Sequence, residues 1–401
     1  MSLKFALCSD IDLEFRFKHM TSKKGFNYEE QQLDHLSVLI DKCIEQKVDA
    51  LIIAGNLFGT PKPKNNTLKK VIELFNTLTN NGIYIFILPG VHDTPLYFSD
   101  DGPVHFVLKN MENIFILQSD DYAATIKRKI IDSVFKEKFK DHPIQIFTTT
   151  SPFIKPDELD LNLNLDKEYS NWFVLSDIYS FKKDIDNILL RFLEKLNDTD
   201  VDLLLIGGII PNTIDVNQYT FQIINCPQIH QNNFDHLQQE SESGLLVGTL
   251  ENGRFSSFEK IIEVSQFHLI HEILNVNSIP PDIINDSALE LIRNNTNQKN
   301  GLLKLTLNGK ISKQDYHGIQ IVDLNDAGYQ RNYYFELSDL IEFEKDTEDI
   351  SGLNNLTELE LFTRFKISES KKDVSKSESE KKKEISLLEK ALTKIKGDWR
   401  K

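Results

Sequence analysis

Asp10 and Asp12, Asn56, and the adjacent pair His92 and Asp93 are the residues whose types and spacing could do chemistry in this chain. Carboxylates spaced Asp-x-Asp can hold a hard divalent cation such as Mn²⁺ or Mg²⁺. A phosphoester-cleaving centre built on two metals also needs a carboxylate that bridges cations about 3.5–4 Å apart. The residue after Gly55 is placed to project from a strand end, where such a bridge would sit, and it is Asn56. A neutral amide offers one oxygen to one metal and brings no charge to hold two dications together.

The elements that must position these residues are short and apolar. Leu3 to Asp12 reads as a strand ending in the two carboxylates. Val48 to Phe58 reads as a strand running into Gly55, and Ile83 to Asp93 as a strand followed by a Gly turn. Continuous apolar strands bounded by turn residues suit a sheet buried on both faces. Between them, Leu33, Leu36, Ile40 and Ile44 share one helical face, as do Leu68, Val71, Ile72, Phe75 and Leu78. Strand–helix alternation of this length predicts βαβ units, which deliver successive strand ends to one sheet edge.

With these residues in place, the chain resembles the calcineurin-like metallophosphoesterases. Within them it is similar to the SbcD-type nuclease subunit and its archaeal and eukaryotic break-repair counterparts. The family pattern is Asp-x-His, Gly-Asp, Gly-Asn-His-Asp, a His near a strand end, then Gly-His-x-His. The segments VDALIIAGNLFGTPKP, NNGIYIFILPGVHDTP, VDLLLIGGIIP and INCPQ, then ESGLLVGTLENG, follow it in order over roughly the first 265 residues. The resemblance implies an α/β fold with a four-layer α-β-β-α metallophosphoesterase core, a small α+β cap domain and a C-terminal helical tail. The expected boundaries are 1–264 for the core, 265–345 for the cap, 346–383 for a connector and Lys/Ser/Glu-rich linker, and 384–401 for a partner-docking helix.

Carried over residue by residue, the resemblance makes Asp10 a metal ligand, Asp12 a substitute for the ligand His, and Asn56 the replacement of the bridging Asp. His92 matches the His that protonates the leaving oxygen, with Asp93 beside it. Val91, Ser176, Gly208 and Ile210 stand at the positions of lost ligands. Structural readings stand beside these: Asp10 as an Asx turn or cap, and His92 with Asp93 as a hydrogen-bonded pair. His230 and His236 fall in a polar Asn/Gln-rich loop and are expected to be solvated.

The formal net charge of −15 opposes nonspecific attraction to phosphate backbones, so DNA contact would need a local basic surface. Candidates are Lys62, Lys64, Lys69 and Lys70, and the helix expected over 126–140 with Lys127, Arg128 and Lys129. Its alternative is a solvated face. Cys8 and Cys43 lie in apolar runs and read as buried thiols. No apolar run reaches membrane-spanning length, and a strand begins within a few residues of the N-terminus. The expectation is a cytoplasmic protein, nuclear in a eukaryote, without membrane attachment.

Beyond residue 265, FHLIHEILNVNSIPP, LLKLTLNG, HGIQIVDL and RNYYFELSDL read as strands, with a helical stretch over Ser287–Arg293. Ser368 to Glu384 is too polar to bury a core. Ile385, Leu388, Leu392 and Ile395 then form an apolar stripe at helical spacing, which suits docking on a partner or on this chain's own cap. The family places the helices that hold a coiled-coil SbcC-type ATPase here, and it pairs as a homodimer. The reading carried forward is a catalytically inactive or impaired DNA-repair nuclease-family subunit that scaffolds such an ATPase and senses DNA ends, with no cofactor expected. The alternative is an active Mn²⁺-dependent DNA exo/endonuclease whose metal site is rebuilt around Asp10, Asp12, Asn56, His92 and Asp93. A noncatalytic accessory subunit like those of replicative DNA polymerases is less expected, since those carry a barrel ahead of the core.

Overall fold

The apolar alternation along each strand dictates how the elements stack. The computed structural model describes residues 2–95, 107–117, 129–130, 144–148, 167–176, 185–208, 214–230, 243–251, 254–261 and 267–343, with a few isolated positions besides. Strands β1 (Leu3–Cys8), β2 (Ala50–Ala54), β3 (Tyr84–Leu88) and β4 (Ile114–Ile116) pair in parallel, and helices α1 (Ser22–Glu45) and α2 (Asn65–Asn80) connect the first three. Two antiparallel strands, β10 (Leu245–Glu251) and β11 (Arg254–Ile261), extend this sheet to the order β11-β10-β1-β2-β3-β4.

A second sheet has the order β5-β6-β7-β8-β9, from β5 (Lys129–Ile130), β6 (Ile144–Thr148), β7 (Ser170–Leu175), β8 (Leu203–Gly207) and β9 (Gln222–Cys226). Strands β6 to β9 are parallel and β5 is antiparallel to β6. The basic segment around Lys129 is therefore strand-forming at Lys129–Ile130, where a helix was expected. At these two residues, pairing to β6 takes the place of the expected helix, and the rest of 126–140 lies outside the described residues.

Period 2 sorts each strand's residues onto two faces. Ala6, Cys8, Leu51, Ile53, Ile85 and Ile87 pack on Leu36, Leu39, Ile40 and Cys43 of α1 and on Val71, Phe75 and Leu78 of α2. The alternate set, Phe5, Leu7, Ile52, Phe86 and Leu88, meets Ile146, Trp172, Val174, Leu203 and Leu205 of the second sheet. Phe5 sits edge-on to Trp172 with ring centroids 5.1 Å apart. The far face of the second sheet, with Phe173, Leu204 and Ile206, packs on Leu189, Phe192 and Leu196 of α3 (Ile185–Asn197). The fold is a mixed α/β one, as the sequence implies.

A third sheet, β12-β13-β14, is built from β12 (His268–Asn275), β13 (Asn297–Ile311) and β14 (Asn332–Phe343), with helices α4 (Ile284–Asn294) and α5 (Ile321–Arg331). The segment HGIQIVDL, expected as a strand, turns into α5. Leu324 and Gly328, one helical turn apart, are its buried residues. An aromatic cluster ties this α+β module to the loop after β1 and to α1: Phe17 stacks on Tyr334 at 4.7 Å, and Tyr28 of α1 meets Phe267 at 4.6 Å. Lys24 Nζ donates to Tyr333 O at 2.6 Å, and Tyr333 Oη donates to Lys24 O at 2.9 Å.

The chain divides into two compact units, Met1–Gly309 with Gln314–Ile341, and Lys310–Lys313 with Glu342–Lys401. Within the second, Lys310 pairs with Glu342 at 3.0 Å. Ile385, Leu388, Leu392 and Ile395, the expected docking stripe, lie outside the described residues.

Candidate metal centre

The loops leaving β1 and β2 run side by side and bring the predicted residues together. Asp10 N donates to Gly55 O at 3.3 Å, Asp12 N to Asn56 O at 2.8 Å and Leu13 N to Leu57 O at 3.1 Å. Along this seam Asp10, Asp12 and Asn56 adopt left-handed backbone, with φ of 47°, 47° and 38°. Asp and Asn tolerate that region better than other side chains, and such strain concentrates at functional sites. On the other side, Ser9 N donates to Pro227 O at 2.8 Å and His230 N to Asp10 O at 3.1 Å, so the end of β9 closes the site.

Two glycines let the walls meet. A Cβ on Gly207 would lie 1.8 Å from Ala54 O, where the ends of β8 and β2 approach. A Cβ on Gly90 would lie 2.0 Å from Asn56 Oδ1.

At the centre lies the buried carboxylate of Asp10, 2% exposed. Asn56 Nδ2 donates to its Oδ1 at 2.8 Å and Gln228 Nε2 to its Oδ2 at 2.7 Å. Ser9 Oγ lies 3.4 Å from Oδ2, donates to Cys226 O at 2.9 Å and accepts from Gly208 N at 2.9 Å. Asn56 Oδ1 accepts from His92 N at 3.0 Å. Asp10 is thus held by side-chain amides, and its cap reading gives way to a side-chain cluster.

His92 and Asp93 are not bonded to each other as a pair. His92 Nδ1 meets Asp12 Oδ1 at 2.8 Å, and that bond raises the imidazole to about 9, so it carries a proton at neutral pH. Its side chain is 43% exposed. Asp93 is fully buried and accepts from Leu57 N at 2.9 Å, Phe58 N at 2.6 Å and Gly90 N at 3.3 Å, fastening the β3 turn to the loop after β2. Burial pushes its carboxyl up, to about 7, against those three donors.

His230 is buried, not solvated as its polar neighbourhood suggested. Its Nδ1 lies 2.6 Å from Ile11 O and its Nε2 lies 2.7 Å from His35 Nδ1. The loop's return to the end of β1 carries it inward. His236 lies outside the described residues.

Of the positions expected to have lost ligands, Val91 is half-buried at the turn, Ser176 is buried at the end of β7, and Gly208 follows β8 at φ 85°. Ile210 lies outside the described residues, as do Lys127 and Arg128. Lys62, Lys64, Lys69 and Lys70 are exposed before and on α2. Lys64 reaches Glu29 at 2.5 Å, a carboxylate shared with Arg16, and Lys69 lies 3.9 Å from Glu73. Sequence reasoning missed Gln228 and Ser9 as members of the site. The signal available was a polar residue at each strand end, in particular a Gln after Pro227.

A dinuclear centre needs several ligands for each cation, anionic ones included. Here Asp10 and Asp12 supply carboxylates, but Asn56 turns its NH₂ toward Asp10 and Asp12 is engaged by a cationic imidazole. Among the described residues no group of three or more His, Cys, Asp or Glu side chains is arranged to hold a metal ion. This donor set does not fit a pair of bridged cations. It can hold a protonated imidazole at a half-open edge, a potential proton donor, beside a neutralised carboxylate.

Comparison with known proteins agrees with the frame. Residues 3–165 match the calcineurin-like phosphoesterase family. The chain is similar to the DNA double-strand break repair protein Mre11 of Archaeoglobus fulgidus, 20% identical over 385 residues, covering 91% of this chain and 79% of that one. The Mre11 of Methanocaldococcus jannaschii is 23% identical over 184 residues, 41% of this chain and 47% of its own length. For the Mre11 of Aeropyrum pernix the match is 37% over 57 residues, 14% of either chain. The matched stretches thus span 14% of the A. pernix protein's length, about half of the M. jannaschii protein and 79% of the A. fulgidus protein. Frame, strand-end residues and comparisons agree on a calcineurin-like phosphoesterase domain over residues 3–165, in a chain similar to Mre11 proteins.

Proposed function

We propose that this chain is a catalytically silent subunit of a DNA break-repair complex, which holds a coiled-coil SbcC-type ATPase and senses DNA ends. The observation that carries the reading is Asp10, whose oxygens are met by the amides of Asn56 and Gln228 at 2.8 and 2.7 Å. With no bridging carboxylate at position 56, the charge that would gather two cations and generate hydroxide is missing. The tail bearing Leu388 and Leu392 is the docking element, the chain works as a homodimer, and the core, cap, linker and tail follow the boundaries given above. Among the described residues no helix is long and apolar enough to cross a membrane. The assay is cleavage of linear duplex DNA in Mn²⁺, comparing wild type with His92→Ala. The reading expects the same background for both; cleavage by wild type that His92→Ala abolishes would overturn it.

One observation favours a second reading, an active Mn²⁺-dependent nuclease with a rebuilt site. His92 is held protonated at the half-open edge by Asp12, as a general acid requires. The same assay separates the two.

A further inference from the structure

We propose that the side-chain amides of Asn56 and Gln228 stand in for metal cations on Asp10, so that the centre keeps its shape without metal. This deepens the silent-centre reading and rests on it. A carboxylate as buried as Asp10 is costly unless its charge is compensated by donors or a counter-ion. Two primary amides supply that compensation from opposite sides, one from the β2 loop and one from the end of β9.

The orientation of Asn56 is determined by its partners. His92 N–H can only donate and lies 3.0 Å from Oδ1, which leaves the NH₂ for Asp10 Oδ1. Gly90 leaves no free volume on the other side, since even a Cβ there would lie 2.0 Å from Asn56 Oδ1. The amide is therefore locked as a donor toward Asp10.

The consequence is a switch of one atom. Asp at position 56 keeps the shape and the His92 contact, but sets a carboxylate oxygen about 2.8 Å from Asp10 Oδ1. Two ionised acceptors at that distance repel unless a proton or a cation lies between them. Asn56→Asp should therefore turn a metal-indifferent protein into one whose stability depends on a divalent cation. Gln228→Glu makes the same change at the other oxygen.

The experiment is thermal unfolding of the full chain in EDTA and in roughly millimolar Mn²⁺, a range well above an ordinary site's needs. Wild type should melt at the same temperature in both. Asn56→Asp should melt lower in EDTA by about 5 °C or more and recover in Mn²⁺. The recovery should vanish when Asp10→Ala is added. Gln228→Glu, at a half-buried position, carries the test should Asn56→Asp fail to fold. The proposal is overturned if Mn²⁺ stabilises wild type through Asp10, or if both variants match wild type in EDTA and ignore Mn²⁺. Wild type that cuts DNA would overturn the functional reading. Wild type that cuts nothing yet gains stability from Mn²⁺ would overturn only this inference.

Discussion

Replacing His35 with Gln should reduce the acid sensitivity of the fold, by an amount the buried histidine pair sets. The Ile11 carbonyl can only accept, so His230 Nδ1, 2.6 Å away, carries the proton. His230 Nε2 is then an acceptor and takes its hydrogen bond from His35 Nδ1 at 2.7 Å. Burial holds both rings in the neutral form, lowering His35 to about 4 and His230 to about 3. In the unfolded chain each takes up a proton near its ordinary 6.5, so below that pH the unfolded state binds more protons. Stability from the pair is full above pH 6.5 and is lost as pH falls toward the folded values. For His35 alone, moving from pH 7.5 to pH 5 removes about 1.5 units of linkage, or roughly 2 kcal/mol.

His92, raised to about 9, and Asp93, raised to about 7, run the opposite way and gain stability over the same descent. The difference between wild type and His35→Gln cancels them. Gln can still donate to His230 Nε2, so that ring keeps its partner. The assay is urea unfolding followed through buried Trp172 at pH 7.5, 6 and 5. The gap in stability should narrow by about 2 kcal/mol between pH 7.5 and pH 5. A gap that stays constant would refute the neutral-pair account.

Gly207→Ala should destabilise by about 1–3 kcal/mol or more, because its Cβ would lie 1.8 Å from Ala54 O, a backbone atom that cannot swing aside; urea midpoints measure it. Asp93→Ala strips the partner from three backbone N–H groups and should cost about 3 kcal/mol in the same measurement. Leu388→Asp combined with Leu392→Asp should abolish capture of the proposed SbcC-type coiled-coil partner while leaving the thermal unfolding of the chain unchanged. Capture that survives would remove the docking role from the tail.

The strands that carry Asp10, Asn56 and His92 were legible because each is a short apolar run closed by a turn. That pattern specifies both the burial and the edge where the polar residues emerge. Gln228 was not legible as a partner of Asp10, because their contact joins residues 218 positions apart through the packing of two sheets, and Ser9, though next to Asp10, is fixed by Cys226 and Gly208, which are equally remote in sequence. His230 misled for the same reason: its neighbours are polar, but the loop returns to Ile11 and buries the ring. In HGIQIVDL the apolar residues satisfy either period over so short a window. Only the pairing of Leu324 with Gly328 under a helix decides, and Val322 is left 72% exposed. Around Lys129 the charges dominated the reading, whereas Lys129 and Ile130 pair with Ile146 and Gln145 of β6.

The measurement that bears most directly on the central claim is a calorimetric titration of the metal-stripped wild-type chain with Mn²⁺, with Asp10→Ala as control. The account predicts no heat of specific binding up to roughly millimolar Mn²⁺, with both proteins giving the same trace, because the amides of Asn56 and Gln228 already compensate Asp10. Binding at about micromolar Mn²⁺ that disappears in Asp10→Ala would contradict it.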